Sequence, residues 1–528
     1  MRKKFLGIIL SLTALLWLVQ AEENFSLFYQ RGMQALDNWD FSQAKEISEK
    51  ISSQLFYLEA PQKELAHLFL AKYWFYLGDY SASLRELEQI QEQDKIGDFS
   101  EFYQRVKNLK QIFAQSDEKK SSHFIIRWTD PRDEILAEPS LEVLERAYQT
   151  LSRFFDFEPK QEKILVEVYP SPEALAIAVG LSEEMIINSG TVAVCKFGRI
   201  LITTPRALLY GYDYLTTLSH ELVHYFVYSR NGETCPVWLH EGLAKYLESS
   251  YQGRMGQLTP VSKSLLVSAV KEQNLITFEE MHPTFAQFKN PAQGELAFAE
   301  VSTMVEWMKD NCGEDSWFKI LDLLKQGVQD RLALEKVCGE DFSSIWKDWQ
   351  EWVLAQRWEV LPGVMALKPE FKKPGEKEEE ELSPEELGSK TAWEYVRLGD
   401  LLRDRGNYRS AVVEYEKAVK LEPYHPKILN KLGLARIMAG DFAGAVKVLE
   451  KSAWINPSYS STYVNLGLAY LGLGKEEKAI ASFKRASELN PFNPLPYHKL
   501  REIYLKKGDE YNAEKMTENL EIIKRKGG

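Results

Sequence analysis

Two histidines four positions apart, in His220-Glu221-Leu222-Val223-His224, carry the densest chemical information in this chain. On a helix, positions i and i+4 project from one face a turn apart, so both imidazoles can reach a single Zn2+ at about 2.1 Å. Glu221, beside the first histidine, can then reach a water on that ion and take its proton. Leu218, Leu222 and Phe226 can anchor the rest of the helix. With 8 histidines in 528 residues, the pattern arises by chance in roughly one chain in a hundred. The alternative is a core helix carrying two hydrogen-bonded histidines. The next segment adds a third donor. Residues 229–234 end the helix with turn residues, and Cys235-Pro236 opens a second helix over 237–248. A helix, a short turn and a returning helix can bring Glu241 beside the pair, with sixteen residues between it and His224.

Trp238-Leu239-His240-Glu241-Gly242-Leu243-Ala244 resembles the glutamate-bearing segment of the gluzincin metallopeptidases, especially the aminopeptidase-N-like enzymes, whose spacing is slightly longer. With Gly190-Thr191-Val192-Ala193-Val194 and Leu201-Ile202-Thr203-Thr204-Pro205, the region 120–355 is similar to the bacterial peptidase MA-like group of exported proteins. The resemblance implies a zincin-like α+β domain that hydrolyses peptide bonds in a peptide or protein substrate. It makes His220, His224 and Glu241 the Zn2+ ligands and Glu221 the general base that activates a zinc-bound water. It also implies a tyrosine or histidine further along to stabilise the oxyanion. The helix from Glu295 to Met304 has Phe298 where that tyrosine is expected, a departure that puts catalytic efficiency in doubt. Tyr210, Tyr212, Tyr214 and His240 are the substitutes. His240 is expected behind the ligands or at the surface rather than as a fourth ligand.

These residues need a frame. Residues 123–128 and 164–169 read as strands separated by an amphipathic helix near 139–156. Residues 191–195 and 200–204 read as a hairpin around Lys196-Phe197-Gly198-Arg199, and the histidine-bearing helix starts after it, at Tyr214.

The ends of the chain are helical. From residue 392 a period of 34 runs through Gly399, Gly433 and Gly467, through Pro423, Pro457 and Pro491, and through Ala411, Ala445, Ala479 and Ala513. This resembles the tetratricopeptide repeat, with copies at 392–425, 426–459 and 460–493 and a cap-like fourth. A degenerate version is visible in Phe28, Gly32, Asp40-Phe41 and Ala44, and again in Leu70-Ala71 and Leu77-Gly78-Asp79-Tyr80. Ordinary helical hairpins are the alternative there. Stacked repeats present extended surfaces, so they imply a protein partner. Residues 368–390, dominated by Pro, Lys and Glu, cannot bury enough surface to offset their ordering entropy and read as a flexible tether.

Composition sets the remaining bounds. The chain is 45% hydrophobic with a formal net charge of -12, which opposes a nucleic-acid binder held by a basic face. Met1-Arg2-Lys3-Lys4, an apolar run from Phe5 to Val19 and small residues up to Ala21 read as a cleavable signal peptide. The protein is therefore expected to be exported, periplasmic or secreted, without a stable transmembrane anchor. Four cysteines allow three pairings. Cys195–Cys235 with Cys312–Cys338 is the preferred set, and free buried thiols are the alternative. The expected layout is a signal peptide at 1–21, a degenerate repeat-like helical domain at 22–118, the metallopeptidase domain at 119–355, an acidic linker at 356–391 and tetratricopeptide repeats at 392–528. The expected fold class is an α+β zincin-like catalytic domain flanked by all-α repeats. Two functions compete: a zinc metallopeptidase whose repeats recruit substrate or partner, and a repeat-based scaffold with a weakly active or inactive peptidase domain.

Overall fold

The computed structural model describes residues 25–91, 93–161, 163–288, 290–367, 369–372, 382, 384 and 387–525. The expected signal peptide 1–21 lies outside the described residues, as does most of the acidic run at 373–381.

The described residues form five strands, β1 (Asp117–Lys120), β2 (Phe124–Trp128), β3 (Ile164–Tyr169), β4 (Ala193–Lys196) and β5 (Arg199–Thr203). The central β2, β3 and β5 are the ones rich in β-branched and aromatic residues, whereas the edge strand β1 is wholly charged. Their order in the sheet is β1-β2-β3-β5-β4. β2, β3 and β5 are parallel, and β1 and β4 are antiparallel at the two edges. Phe197 and Gly198, at φ of 58° and 68°, close the β4–β5 hairpin in the left-handed conformation that a two-residue turn needs.

Among the described residues five α-helices precede the sheet: α1 (25–37), α2 (Phe41–Gln54), α3 (Ala60–Tyr76), α4 (Tyr80–Leu87) and α5 (Phe99–Ile112). Within the α+β domain lie α6 (Ala137–Phe155), α7 (Pro172–Val179), α8 (Glu183–Ser189), α9 (Tyr214–Asn231), α10 (Val237–Leu247), α11 (Pro260–Glu272), α12 (Pro291–Cys312), α13 (Ser316–Lys325), α14 (Asp330–Cys338) and α15 (Phe342–Ala355). Side chains alternate across a strand, so Val166, Val168, Ile200 and Ile202 join the core built with α6 and α9. Tyr169 and Leu201 face the opposite layer, built from α3, α4, α5 and α7. The N-terminal helices therefore cover the second face of the sheet and share its core. Their contact is sealed by Arg199, fully buried, which donates to the Phe75 carbonyl at 2.7 Å and lies 3.5 Å from the buried Glu167 carboxylate.

The C-terminal array is α16 (Lys390–Asp404), α17 (Tyr408–Leu421), α18 (Pro426–Met438), α19 (Phe442–Ile455), α20 (Ser460–Gly472), α21 (Glu476–Leu489), α22 (Pro494–Lys506) and α23 (Glu510–Lys524). The repeat glycines have a steric cause. A Cβ on Gly399, Gly433 or Gly467 would meet Tyr415, Leu449 or Phe483 at 2.6, 2.4 and 2.4 Å respectively, so each helix pair closes against a bare backbone.

The array docks on the α+β domain. Ser460 Oγ donates to the Tyr210 carbonyl at 2.7 Å, the Tyr212 amide donates to the Leu489 carbonyl at 3.0 Å, and Tyr497 and Leu520 lie in the main core. The stretch expected to be a tether takes part where it is described. Glu370 accepts from the Leu209 amide at 2.9 Å through its carbonyl and from Lys427 Nζ at 3.0 Å through its carboxylate; the Lys372 amide donates to Ala207 at 2.9 Å. The Leu208–Phe371 bridge and the apolar contacts of Val364 and Ala366 hold this part in place, and a composition average over the charged run obscures them.

Cys312 and Cys338 are disulfide-bonded, tying the end of α12 to the end of α14. The second expected pair does not form: Cys195 and Cys235 are separate thiols. Cys195 sits on the edge strand β4, whereas the Cys235 sulfur turns onto the carbonyl of Pro236 at 3.8 Å. No helix among the described residues is long and apolar enough to cross a membrane.

Candidate metal centre

Helix α9 begins at Asp213, whose carboxylate accepts from the Thr216 amide at 3.2 Å and satisfies one of the helix's unpaired donors. Leu218, Leu222, Val223 and Phe226 are buried in the main core, which fixes the rotation of the helix and leaves His220 and His224 toward the cleft. The imidazole centroids are 4.8 Å apart. Gly232, at φ of 62°, ends the helix, and after a single short turn α10 returns. A Cβ on Gly242 would meet the Val301 carbonyl at 2.8 Å, so glycine there lets α10 press onto α12 and carries Glu241 to the histidines.

One ligand atom from each of His220, His224 and Glu241 lies within 4.8 Å of the others. Both histidine Nε2 atoms are 3.4 Å from Glu241 Oε2. A tetrahedral ion with bonds of about 2.0–2.1 Å requires donors about 3.4 Å apart, so the donor set fits Zn2+ in type and the two separations from Glu241 fit it in spacing. Burial alone would lower the His220 imidazole, but its bonds to Glu241 and Glu248 outweigh this and push it up to about 10. Burial would likewise raise Glu241, yet the two imidazoles hold its carboxyl well below the usual carboxylate range. The carboxylates thus make the pocket suited to receive a cation.

The outer nitrogens of the two histidines are also engaged. His220 Nδ1 is 3.1 Å from Glu248 Oε2, and Glu248 is held by Lys245 at 2.6 Å. His224 Nδ1 is 2.5 Å from His240 Nδ1. Burial, reinforced by His224 alongside, pushes His240 down to about 3. Glu221 is 7% exposed. Burial raises its carboxyl, against the pull of the two imidazoles and of the Cys195 backbone on β4.

The centre opens into a cavity of about 1700 Å3 walled by β4, α9, α10, α12 and the third repeat, the last contributing Tyr463, Arg485 and Glu488. Phe298 lines it with its ring 6.1 Å from that of His220, in the region where an oxyanion-stabilising tyrosine was expected. The three tyrosine substitutes are occupied elsewhere. Tyr212 donates to the Thr203 carbonyl at 2.5 Å, Tyr214 is buried, and Tyr210 packs against Tyr459 of the array.

The structure therefore brings His220, Glu221, His224 and Glu241 together, and places His240 beside the outer nitrogen of His224. Sequence reasoning missed Glu248 and Asp213. Glu248 follows Glu241 by two helical turns, a spacing that puts both on one helix face and could have identified it.

Residues 152–355 match the Peptidase MA superfamily model, and residues 399–440 and 460–493 match tetratricopeptide repeat models. A Peptidase MA superfamily domain is thus followed by tetratricopeptide repeats. No curated protein matches the chain. Among solved structures, the chain is similar to a MamA crystal structure at 26% identity, covering 25% of this chain and 77% of that one with a TM-score of 0.24. MamA from Desulfovibrio magneticus RS-1 is similar at 28% identity, covering 25% and 75%, with a TM-score of 0.24. The first repeat domain of human RPAP3 is similar at 27% identity, covering 23% and 97%, with a TM-score of 0.22.

Proposed function

We propose that this protein is an exported, gluzincin-type zinc metallopeptidase whose repeats help hold a peptide or protein substrate or a partner. The observation that carries the reading is the pair of equal 3.4 Å separations from Glu241 to both histidines, with Glu221 beside them. His220, His224 and Glu241 would hold the ion. When bound, Zn2+ supplies a Lewis acid that lowers the pKa of water toward about 7 and polarises a carbonyl. Glu221 accepts the proton of the attacking water and delivers it to the leaving amine. Its burial favours this role, because a carboxylate with a raised pKa is both a stronger base and, once protonated, a competent acid. The Cys312–Cys338 disulfide supports an oxidising compartment and hence export.

Phe298 favours a second reading, a repeat-based scaffold with a weakly active or inactive peptidase domain, since no hydroxyl stands at that position. Glu221→Gln separates the two. The amide has nearly the carboxylate's shape and is not a ligand, so zinc content and fold should persist. In an enzyme, hydrolysis of an unfolded protein falls by a factor of about 10² to 10⁴, and chelation of the wild type has a similar effect. Equal inertness of wild type and mutant supports the scaffold. Zinc-dependent hydrolysis that survives the substitution removes Glu221 from the mechanism.

A further inference from the structure

The two ligand histidines are backed by different chemistry. His220 Nδ1 faces a carboxylate, that of Glu248 at 3.1 Å. His224 Nδ1 faces another imidazole nitrogen, His240 Nδ1, at 2.5 Å. Two bare nitrogens cannot approach this closely without lone-pair repulsion, and two N–H groups would collide, so one proton lies between them. His224 turns Nε2 toward Glu241 and the ion's position, and that nitrogen must be bare to ligate. A neutral imidazole has only one proton, so His224 carries it on Nδ1 and donates. His240 then accepts through Nδ1 and keeps its own proton on Nε2.

We propose that His240 is a positioning residue for the metal centre: its Nδ1 accepts the Nδ1–H of His224, fixing the tautomer and ring angle that present Nε2 to the ion. The rings, 4.6 Å apart at 33°, suit an in-plane bond better than a stack. Because His240 lies against the outer nitrogen of His224, it is not placed as a fourth ligand. Its place in the chain makes the arrangement rigid, since it immediately precedes the ligand Glu241 on α10. One helix thus delivers both a ligand and the group that orients another ligand. A neutral acceptor here, opposite the anionic one behind His220, adds no further negative charge to a centre that already has Glu221, Glu241 and Glu248.

The proposal rests on reading His220, His224 and Glu241 as a metal site, and zinc affinity tests both without requiring activity. The metal-stripped full chain is titrated with zinc against a chromophoric chelator, using wild type, His224→Ala, His240→Leu and His240→Asn. The asparagine carbonyl oxygen falls close to where Nδ1 stands and restores an acceptor; leucine has similar bulk and none. Removing a group that orients a metal ligand typically weakens binding by about 10- to 100-fold. His240→Leu is expected to fall in that range, and His240→Asn to stay within about threefold of wild type. Thermal unfolding of the metal-free variants controls for folding. If His224→Ala leaves zinc affinity unchanged, the underlying metal reading fails. If His224→Ala abolishes tight binding but His240→Leu does not weaken it, or asparagine fails to rescue, the positioning role is overturned while the metal site stands.

Discussion

Arg485 in the third repeat donates to Asp213 at 2.6 Å, and Asp213 is the residue that caps the helix bearing both candidate zinc-binding histidines. The two are 272 residues apart in the chain. The repeat array is thereby joined to the start of α9, two turns before His220 and next to the cleft. The same carboxylate serves both ends: Oδ1 accepts from the Thr216 amide, and Oδ2 accepts from the guanidinium.

Asp213→Asn should keep most of the cap and lose the ion pair, whereas Asp213→Ala loses both. A lost cap costs about 1 kcal/mol. Arg485 and Asp213 are 26% and 18% exposed, and a pair in that partly screened setting contributes at most about 1 kcal/mol. A double-mutant cycle of Arg485→Ala and Asp213→Asn, read by urea unfolding, should show coupling of that size. Strict additivity would mean that this ion pair adds nothing to the docking, which then rests on the apolar contacts and the other hydrogen bonds.

Phe298→Tyr places a hydroxyl on a ring that lines the cleft 6.1 Å from the His220 ring. Loss of an oxyanion donor typically costs about 10²- to 10³-fold in kcat. Restoring even part of one should raise kcat about tenfold with little change in KM. If kcat is unchanged or falls, the stabilising group lies elsewhere in the cleft.

Glu300 on α12 is 2% exposed; one carboxylate oxygen accepts from the Ile276 amide at 3.0 Å and the other has no hydrogen-bond partner among the described residues. Burial pushes its carboxyl well above the usual range. Below about pH 4 both folded and unfolded chains hold this proton. As pH rises, the unfolded chain releases it first, the folded state binds more protons, and stability falls until the folded carboxyl also ionises. Glu300→Gln removes that slope. The variant should match wild type near pH 4 and exceed it by about 1–3 kcal/mol at pH 8, measured by urea midpoints. A constant difference across the range would assign the effect to packing.

The Cys312–Cys338 bridge closes a loop with a sequence separation of 26. By the chain-entropy estimate such a loop contributes about 3 kcal/mol. Replacing both cysteines with serine should lower stability by that order. Thiol titration of the unreduced, denatured chain should count the two thiols of Cys195 and Cys235. A count of zero would restore the second pairing.

The sequence by itself determined whatever depends on short-range geometry. The i, i+4 histidines had to share a helix face, because helical periodicity leaves no alternative once α9 forms. The 34-residue period had to give stacked helix pairs, since small residues at Gly399, Gly433 and Gly467 recur where large partners approach. Glu241 was legible through the short turn that returns α10 and through its resemblance to known glutamate-bearing segments. Tertiary structure alone decided which atoms meet across long separations: the outer nitrogen of His224 against His240, and Arg485 on the cap of α9. Those contacts depend on helix rotation, rotamer and the docking of one apolar face on another, and no local period encodes them. The thiol of Cys195 was assigned a partner on chain position and compartment, yet strand β4 and the start of α10 direct it and Cys235 to different surroundings.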